Sequence, residues 1–567
     1  MKKFIYIIAA LMVCSQIAYA QGFDPTVEVS RTYESTLKLT PKPVPAMAVP
    51  DSLLRFDLDF DYSVFDKPYQ GTGDYKPYLL DLRPQPDAYR GKKLYLKAGL
   101  GYTLHPELDL VFSPEVGNSS DLNIYAQHRS YFGKYKFSDA VNFSGYDSYS
   151  KVGVNGKTKL SSVNLSYNAN YLGLLTKDGR YQDAIKTSFN AFEAMVGVAN
   201  AEPAEIFYSA AVRTMLAGDS YTNYQDDNLG IFKIGFDGTI GKSFEDYVLA
   251  ADVHFERTSF SFIDKANIGN WYIAPRYIAE SNGFRLNLGV KLGSVMGSDH
   301  SWFDAFAPMK IHKSQVIYPD LHIAYELDPG KMDFFADVTG GDDLIGYEEI
   351  RQRDHFALPP FTDNSLVHFD IDAGLRGNIN TVFRYDFALG FKSVGSSSVY
   401  AMNFMYAARK VYEDVSVPYL RGSVVYDCKP LLLEGRIMYR GTSFSKNANE
   451  LFGEYTGWQV YSPRKLTVDL QAMYFWKSRI RGGVTARIGS GIKGMIPDAL
   501  SANINATVLP EAGFDSFVDL GLVGEYSVDR TVSIYANVCN LLNKKYINDV
   551  MMPVSGLFVT AGLKINL

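Results

Sequence analysis

The sequence is poor in cysteine, in tryptophan and in long apolar runs, and each shortage excludes something. Of 3 cysteines, Cys14 lies in the opening apolar run, and Cys428 and Cys539 stand far apart in separate strand-like segments. A disulfide framework and a Cys-x-x-Cys metal site are therefore excluded. No Gly-x-Ser-x-Gly elbow, His-Glu-x-x-His pair or Walker loop occurs, which removes the common hydrolase and nucleotide-binding signatures. Beyond the first twenty residues no stretch approaches the roughly 18 apolar residues that a membrane helix needs. Basic residues are also in the minority. Without Lys2 and Lys3, which belong to a leader, 54 basic residues face 62 acidic ones, a formal net of −8 that argues against nucleic-acid binding.

The leader is read from Lys2 and Lys3, the apolar run Phe4 to Cys14, and Ala18-Tyr19-Ala20 before Gln21. This order predicts a signal peptide spanning residues 1–20. A lipoprotein signal centred on Cys14 fits less well, because Val13 is bulky where a small residue is needed and Cys14 sits inside the apolar run.

What the chain does contain is aromatic residues and alternation. It has 40 Tyr and 36 Phe against 4 Trp, a load suited to the two girdles of a membrane barrel. From about residue 92 a period of two dominates. Leu94, Leu96, Ala98, Leu100, Tyr102 and Leu104 oppose Tyr95, Lys97, Gly99, Gly101 and Thr103; Phe284, Leu286, Leu288, Val290 and Leu292 oppose Arg285, Asn287, Gly289 and Lys291. Strands with lipid on one side and water on the other require this pattern. A soluble sandwich alternates too, so the connections decide. Tight links rich in Gly, Pro, Asn and Asp (Ser281-Asn282-Gly283, Asp328-Pro329-Gly330, Asn378 to Thr381, Cys428-Lys429-Pro430, Ser527 to Arg530) take turns with long ones at about 131–146, 173–185, 216–227, 295–313, 340–365 and 442–463.

Requiring short and long links to alternate predicts an all-β fold for residues 92–567, a 22-stranded antiparallel transmembrane barrel. The expected strand starts are near 92, 107, 120, 147, 160, 186, 204, 228, 246, 268, 283, 314, 331, 366, 381, 417, 430, 464, 478, 515, 530 and 555. Two further pieces, near 397–408 and 499–509, break the alternation and are assigned to hairpins that project outward from loops. Residues 21–91 differ, holding nine of the 24 prolines, and read as an extended periplasmic segment. Within it Phe56, Leu58, Phe60, Tyr62 and Val64 alternate with Asp57, Asp59, Asp61 and Ser63, a piece able to pair with a sheet edge, lie in the lumen or bind a partner.

The last sixty residues carry a family likeness. DLGLVGEYSVDRTVSIYANVCNLLNKKY (Asp519 to Tyr546), followed by SGLFVTAGLKINL, resembles the close of a TonB-dependent receptor barrel: a penultimate strand, an Asn-Leu-x-Asn-x-x-Tyr element and a glycine-led final strand. FFADVTGGDDLIGYEEI (Phe334 to Ile350) is similar to the start of that family's long extracellular loop. Gly562, Ile565 and Leu567 fit the positions read by barrel-assembly machinery, with Leu567 in place of the usual terminal aromatic. Thr26, Val27, Glu28, Val29 and Ser30, followed by Arg31, resemble the box gripped by TonB. The departure is at the front, where family members carry a globular plug of well over a hundred residues and this sequence has about 70 proline-rich ones. The resemblance therefore implies a plugless, Bacteroidetes-type form in the outer membrane of a Gram-negative bacterium.

Two same-face triplets, Asp252, His254, Glu256 and His368, Asp370, Asp372, are the places where a metal or an acid-base set could sit; a charged, hydrated barrel interior explains them equally. Asp57-x-Asp59-x-Asp61 lacks the glycine and distal glutamate of a calcium loop. No catalytic residue, cofactor or metal site is assigned. The expectation is a receptor-like scaffold or pore whose lumen is closed or used by an envelope partner, a lipoprotein or a periplasmic subunit, because an open barrel of 22 strands breaches the membrane barrier. The alternative is a nutrient channel, passive or TonB-linked; a barrel-embedded hydrolase is the remotest.

Overall fold

The computed structural model describes residues 93–567 apart from links 115–118, 137–141, 179–184, 223–227, 262–266, 298–313, 356–362, 403–407, 445–458, 461–463, 495–511 and 547–555 and a few positions beside strand ends. The leader, the proline-rich segment with its Asp57-Asp59-Asp61 run, the Thr26 to Ser30 run and the 499–509 piece lie outside the described residues.

The strands are β1 (Leu94–Tyr102), β2 (Glu107–Phe112), β3 (Ser120–Lys136), β4 (Asn142–Lys159), β5 (Val163–Asp178), β6 (Ile185–Asn200), β7 (Ile206–Thr222), β8 (Asn228–Ser243) and β9 (Tyr247–Phe260). Next come β10 (Asn267–Ser281), β11 (Phe284–Gly297), β12 (Ser314–Asp328) and β13 (Met332–Ile345), then the short helix α1 (Tyr347–Arg353). The chain continues with β14 (Asp363–Ile379), β15 (Phe383–Met402), β16 (Ala408–Cys428), β17 (Leu431–Arg440), β18 (Ser443–Phe444), β19 (Gln459–Val460), β20 (Leu466–Trp476) and β21 (Ile480–Gly489). It ends with β22 (Ile492–Gly494), β23 (Ala512–Phe514), β24 (Phe517–Ser527), β25 (Val532–Cys539) and β26 (Phe558–Asn566).

Each wall strand pairs antiparallel with the next, and β26 returns to β1 over the register Tyr95↔Asn566 to Tyr102↔Val559. Paired backbone bonds between Leu94 and Leu567, 2.8 and 2.9 Å long, finish the seam. The wall is a closed barrel of 22 strands; β18 and β19 only extend its edge at one rim, and β22 pairs with β23 as a separate hairpin. The piece near 397–408 continues the β15–β16 hairpin, with Met402 opposite Ala408, beyond a register shift between Val394 and Ser397.

The faces follow from the alternation. Leu100, Phe192, Leu216, Ile240, Leu288, Ile317, Leu389 and Leu563 point outward, 40–74% exposed. A soluble protein does not leave a continuous apolar exterior of this kind in water, whereas hydrocarbon accepts it. Aromatics edge this belt near the short-link rim at Tyr208, Phe244, Tyr247, Tyr277, Phe284, Tyr325, Tyr474 and Tyr526, with Tyr247 stacked between Phe244 and Tyr277 at 4.6 and 5.4 Å. No described helix is long and apolar enough to cross a membrane. An apolar band needs about 9–11 residues of tilted strand. At 14–21 residues, β3 to β16 overshoot it, so the links at their far end are shorter than the sequence suggests.

Candidate functional site

The lumen carries a polar lattice, a small apolar cluster of Ala324, Phe335 and Ala388, and a larger apolar patch. Along the far halves of β5 to β10 the inward positions are Leu172, Leu174, Phe189, Ala191, Met215, Leu229, Ile231, Phe260 and Ile268, all buried in one cluster. Their outward neighbours Tyr171, Leu175, Phe192 and Phe232 are apolar too. Strands apolar on both faces need cover on both. The cover on the inner face includes α1, whose Tyr347 is 1% exposed within this cluster and meets Phe189 edge to face at 5.8 Å.

Polar contacts fix the helix there. Tyr347 Oη donates to Asp219 Oδ2 over 2.9 Å. Arg351, fully buried, places Nε 3.2 Å from the same oxygen as an ion pair, and its Nη2 donates to Thr187 Oγ1 over 2.6 Å. Thr187 is hydrogen-bonded in turn to Thr176 at 2.6 Å, and Nη1 of Arg351 donates to the His355 carbonyl. His355 Nδ1 lies 2.6 Å from Asp147 Oδ1, its ring stacked on Tyr149 at 6.0 Å. On the other flank Lys233 Nζ bridges Glu348 Oε1 of α1 at 3.2 Å and Glu256 Oε1 of the wall at 2.8 Å. Wall strands β6, β7 and β8 thus hold the two turns of α1, and β4 holds His355 just after it, by charge and hydrogen bonds.

The segment expected as a long loop over 340–365 is strand as far as Ile345 and again from Asp363, with α1 folded inward between. Its sequence carries the signs that suit a helix, with Glu348 and Glu349 in the first turn and Arg351 and Arg353 in the last.

The two triplets behave as lattice. Asp252 accepts from Thr239 at 2.7 Å and from Arg276 Nη2 at 2.8 Å; His254 Nδ1 is 2.7 Å from Asp237 Oδ1 and stacks on Tyr272; Glu256 binds Lys233. In the second, Asp370 accepts from Tyr419 Oη at 2.8 Å and Asp372 from Arg421 Nη2 at 2.8 Å. His368 occupies a register shift between Val367 and Phe369, so the expected continuous face from His368 to Asp372 is broken. Asp252, His254 and Glu256 find their partners on the adjacent strands β8 and β10, whereas Asp370 and Asp372 reach past β15 to Tyr419 and Arg421 on β16, and no group of three His, Cys, Asp or Glu among the described residues is arranged to hold a metal.

Gly562 lies in the seam, opposite Gly99. A Cβ on Gly562 would lie 2.1 Å from the Ala98 carbonyl oxygen, and one on Gly99 would lie 2.2 Å from Tyr535 Oη, so the two glycines let β26 and β1 close beneath that ring. Tyr535 Oη donates to Glu107, which Lys97 approaches to 3.2 Å. Ile565 stands opposite Leu96 and Val532. The Asn-Leu-Leu-Asn-x-x-Tyr element is a loop lock: Asn540 and Asn543 adopt φ of 49° and 48°, Asn540 Oδ1 accepts from Lys544 N at 2.8 Å, and Asn543 Oδ1 accepts from Leu557 N at 3.0 Å. Asp519 receives the Asn540 N–H at 3.0 Å and the Tyr546 hydroxyl, whose ring stacks on Phe517 at 3.8 Å.

No protein-family model and no curated protein sequence matches this chain. Solved structures do. The FrpB iron transporter from Neisseria meningitidis (F5-1 variant, apoprotein form) shares 10% identity over 84% of this chain and 81% of its own, with a TM-score of 0.64. The ferric-catecholate import receptor Fiu from E. coli K12 shares 11% over 84% and 82%, with a TM-score of 0.61. The copper transporter OprC shares 12% over 84% and 80%, with a TM-score of 0.60. At such identities the likeness is one of fold alone.

Proposed function

We propose that this barrel works in the outer membrane of a Gram-negative bacterium as a receptor-type pore or scaffold that is closed at rest, its outer half narrowed by its own α1 and its inner mouth served by an envelope partner. The observation that carries the reading is the burial of Tyr347, Glu348 and Arg351 against the wall. An open pore has no use for a fully buried cation bridging a loop helix to its lumen. Residues 21–91 are then a tether for a lipoprotein or periplasmic subunit rather than a plug. The apolar belt, the aromatic rim and the long links at one end support the location. A non-enzymatic role is supported by the structural neighbours, which are transporters and receptors.

Uptake is the second reading, favoured by the import receptors that share the fold, with Thr26 to Ser30 as the point of TonB engagement. Planar-bilayer recording tests the first. The wild type is expected to show small, rare openings, and removal of 347–355 to give a persistent wide conductance. A wild type already open as a wide pore sinks the proposal. Val27→Pro with Val29→Pro separates the second reading, since proline removes the backbone donors of a pairing strand and stops uptake without changing conductance.

A further inference from the structure

The lipid-facing wall is apolar round most of the barrel but not on β3 to β6. Here the outward positions of one cross-strand row are His128, Ser150, Gly173 and Asn190, and those of the next are Ser130, Ser148, Leu175 and Ser188. The polar groups bind one another: His128 lies 2.8 Å from Ser150 Oγ and 3.0 Å from Ser130 Oγ, Tyr171 Oη donates to Asn190 Oδ1 over 2.6 Å, and Asn190 Nδ2 donates to Ser188 Oγ over 3.1 Å. The next outward row is Phe132, Tyr146, Lys177 and Lys186, and Lys134 stands one row further, opposite Ser144.

Lys177 and Lys186 are direct cross-strand partners, a like-charge pairing that destabilises a sheet unless a counter-charge is present. No carboxylate among the described residues pairs with any of the three lysines. Each lies fourteen residues from the short-link end of its strand, about 33 Å up the wall for strands rising roughly 3.3 Å per residue at a tilt near 45°. The apolar band is roughly 25 Å tall, so the ammonium groups stand at headgroup level with the hydroxyl row at the band's upper edge. Three strand spacings and a two-residue offset put Lys134 about 16 Å from Lys186. At comparable height β7 to β12 present outward Ser220, Gly230, Ser259, Gly269, Met296 and Ile317, with Arg257 as a lone cation slightly lower.

We infer that the outer wall of β3 to β6 is a docking site for an anionic lipid of the outer leaflet, one with a phosphorylated sugar headgroup. The lysines take the phosphates, and Ser148, Ser150, Tyr171 and Asn190 meet the hydroxyl and amide groups where the acyl chains begin, while the buried Ser130 holds the His128 ring in place. The chains themselves run down Val152, Phe192 and Val196. Continuity with the apolar belt selects a lipid over a free anion. The inference rests on the reading of the long-link rim as the outward one, yet it fails separately, because losing the lipid leaves insertion and conductance intact.

The test places the full chain in phosphatidylcholine nanodiscs with and without a diphosphorylated glucosamine-disaccharide lipid and follows thermal unfolding. The phosphorylated lipid is expected to raise the unfolding temperature of the wild type and of Arg257→Gln by several degrees. Lys134→Gln/Lys177→Gln/Lys186→Gln should lose that rise, while being at least as stable as wild type in plain phosphatidylcholine because the Lys177–Lys186 repulsion is gone. If the triple variant does not insert, Lys177→Gln alone should lose part of the rise. An equal rise in wild type and lysine variants overturns the inference, and so does an equal rise produced by inorganic phosphate in place of the lipid.

Discussion

Arg351 and Asp219 sit 132 positions apart and meet where neither is exposed. Breaking such a pair from one side leaves a bare buried charge, which costs roughly 3–5 kcal/mol. Arg351→Met is therefore expected to release α1, seen as faster backbone hydrogen exchange over 347–353. Adding Asp219→Leu should restore protection, since a buried pair replaced on both sides leaves no charge behind; unchanged exchange in the single variant counts against the docked helix. On the wall, Leu288 faces lipid at 40% exposure and Asn287 faces the lumen. Leu288→Arg should destabilise by about 2–4 kcal/mol near the midplane, read from urea titration in lipid. Asn287→Arg should be tolerated, and equal losses at both positions would mean that the faces are reversed.

Among the elements, strands were the legible part. All 22 wall starts fall within a few residues of those expected, except β16, which begins at Ala408 rather than near 417 because its hairpin with β15 continues past the membrane band. Alternation is a local property, so one sequence carries it. The docking of α1 is not local. Its surface on β5 to β10 betrays itself only in Leu172, Leu174, Phe189 and Ile231, apolar residues at positions where a wet lumen calls for polar ones. The cross-strand partners of Asp252 and Asp370 were hidden for the same reason: register is fixed by pairing, not by composition. The Asn540 to Tyr546 element was recognised by likeness, and its hydrogen bonds explain why Asn is needed twice at positive φ. Asn543→Ala should strain the turn and free the Leu557 N–H, which is expected to speed hydrogen exchange at Leu557 while β25 and β26 stay paired.

The whole wall depends on a seam between residues at opposite ends of the described chain. Gly562→Val is expected to block closure, because any Cβ there meets a backbone oxygen that cannot move aside. The readout is the loss of the compact, heat-modifiable band on unboiled gels; normal band formation would show that β26 and β1 close without so tight an approach. Tyr95 pairs with Asn566 although 471 positions separate them. Joining ends so distant carries a loop-closure entropy that local hairpins avoid, and contacts of this separation form late in folding. Until then β1 and β26 are two unsatisfied strand edges, each a template for pairing with another chain. The nascent barrel is thus most prone to aggregate immediately before it is complete, and slowing the final pairing step should convert yield into insoluble protein rather than into a smaller barrel.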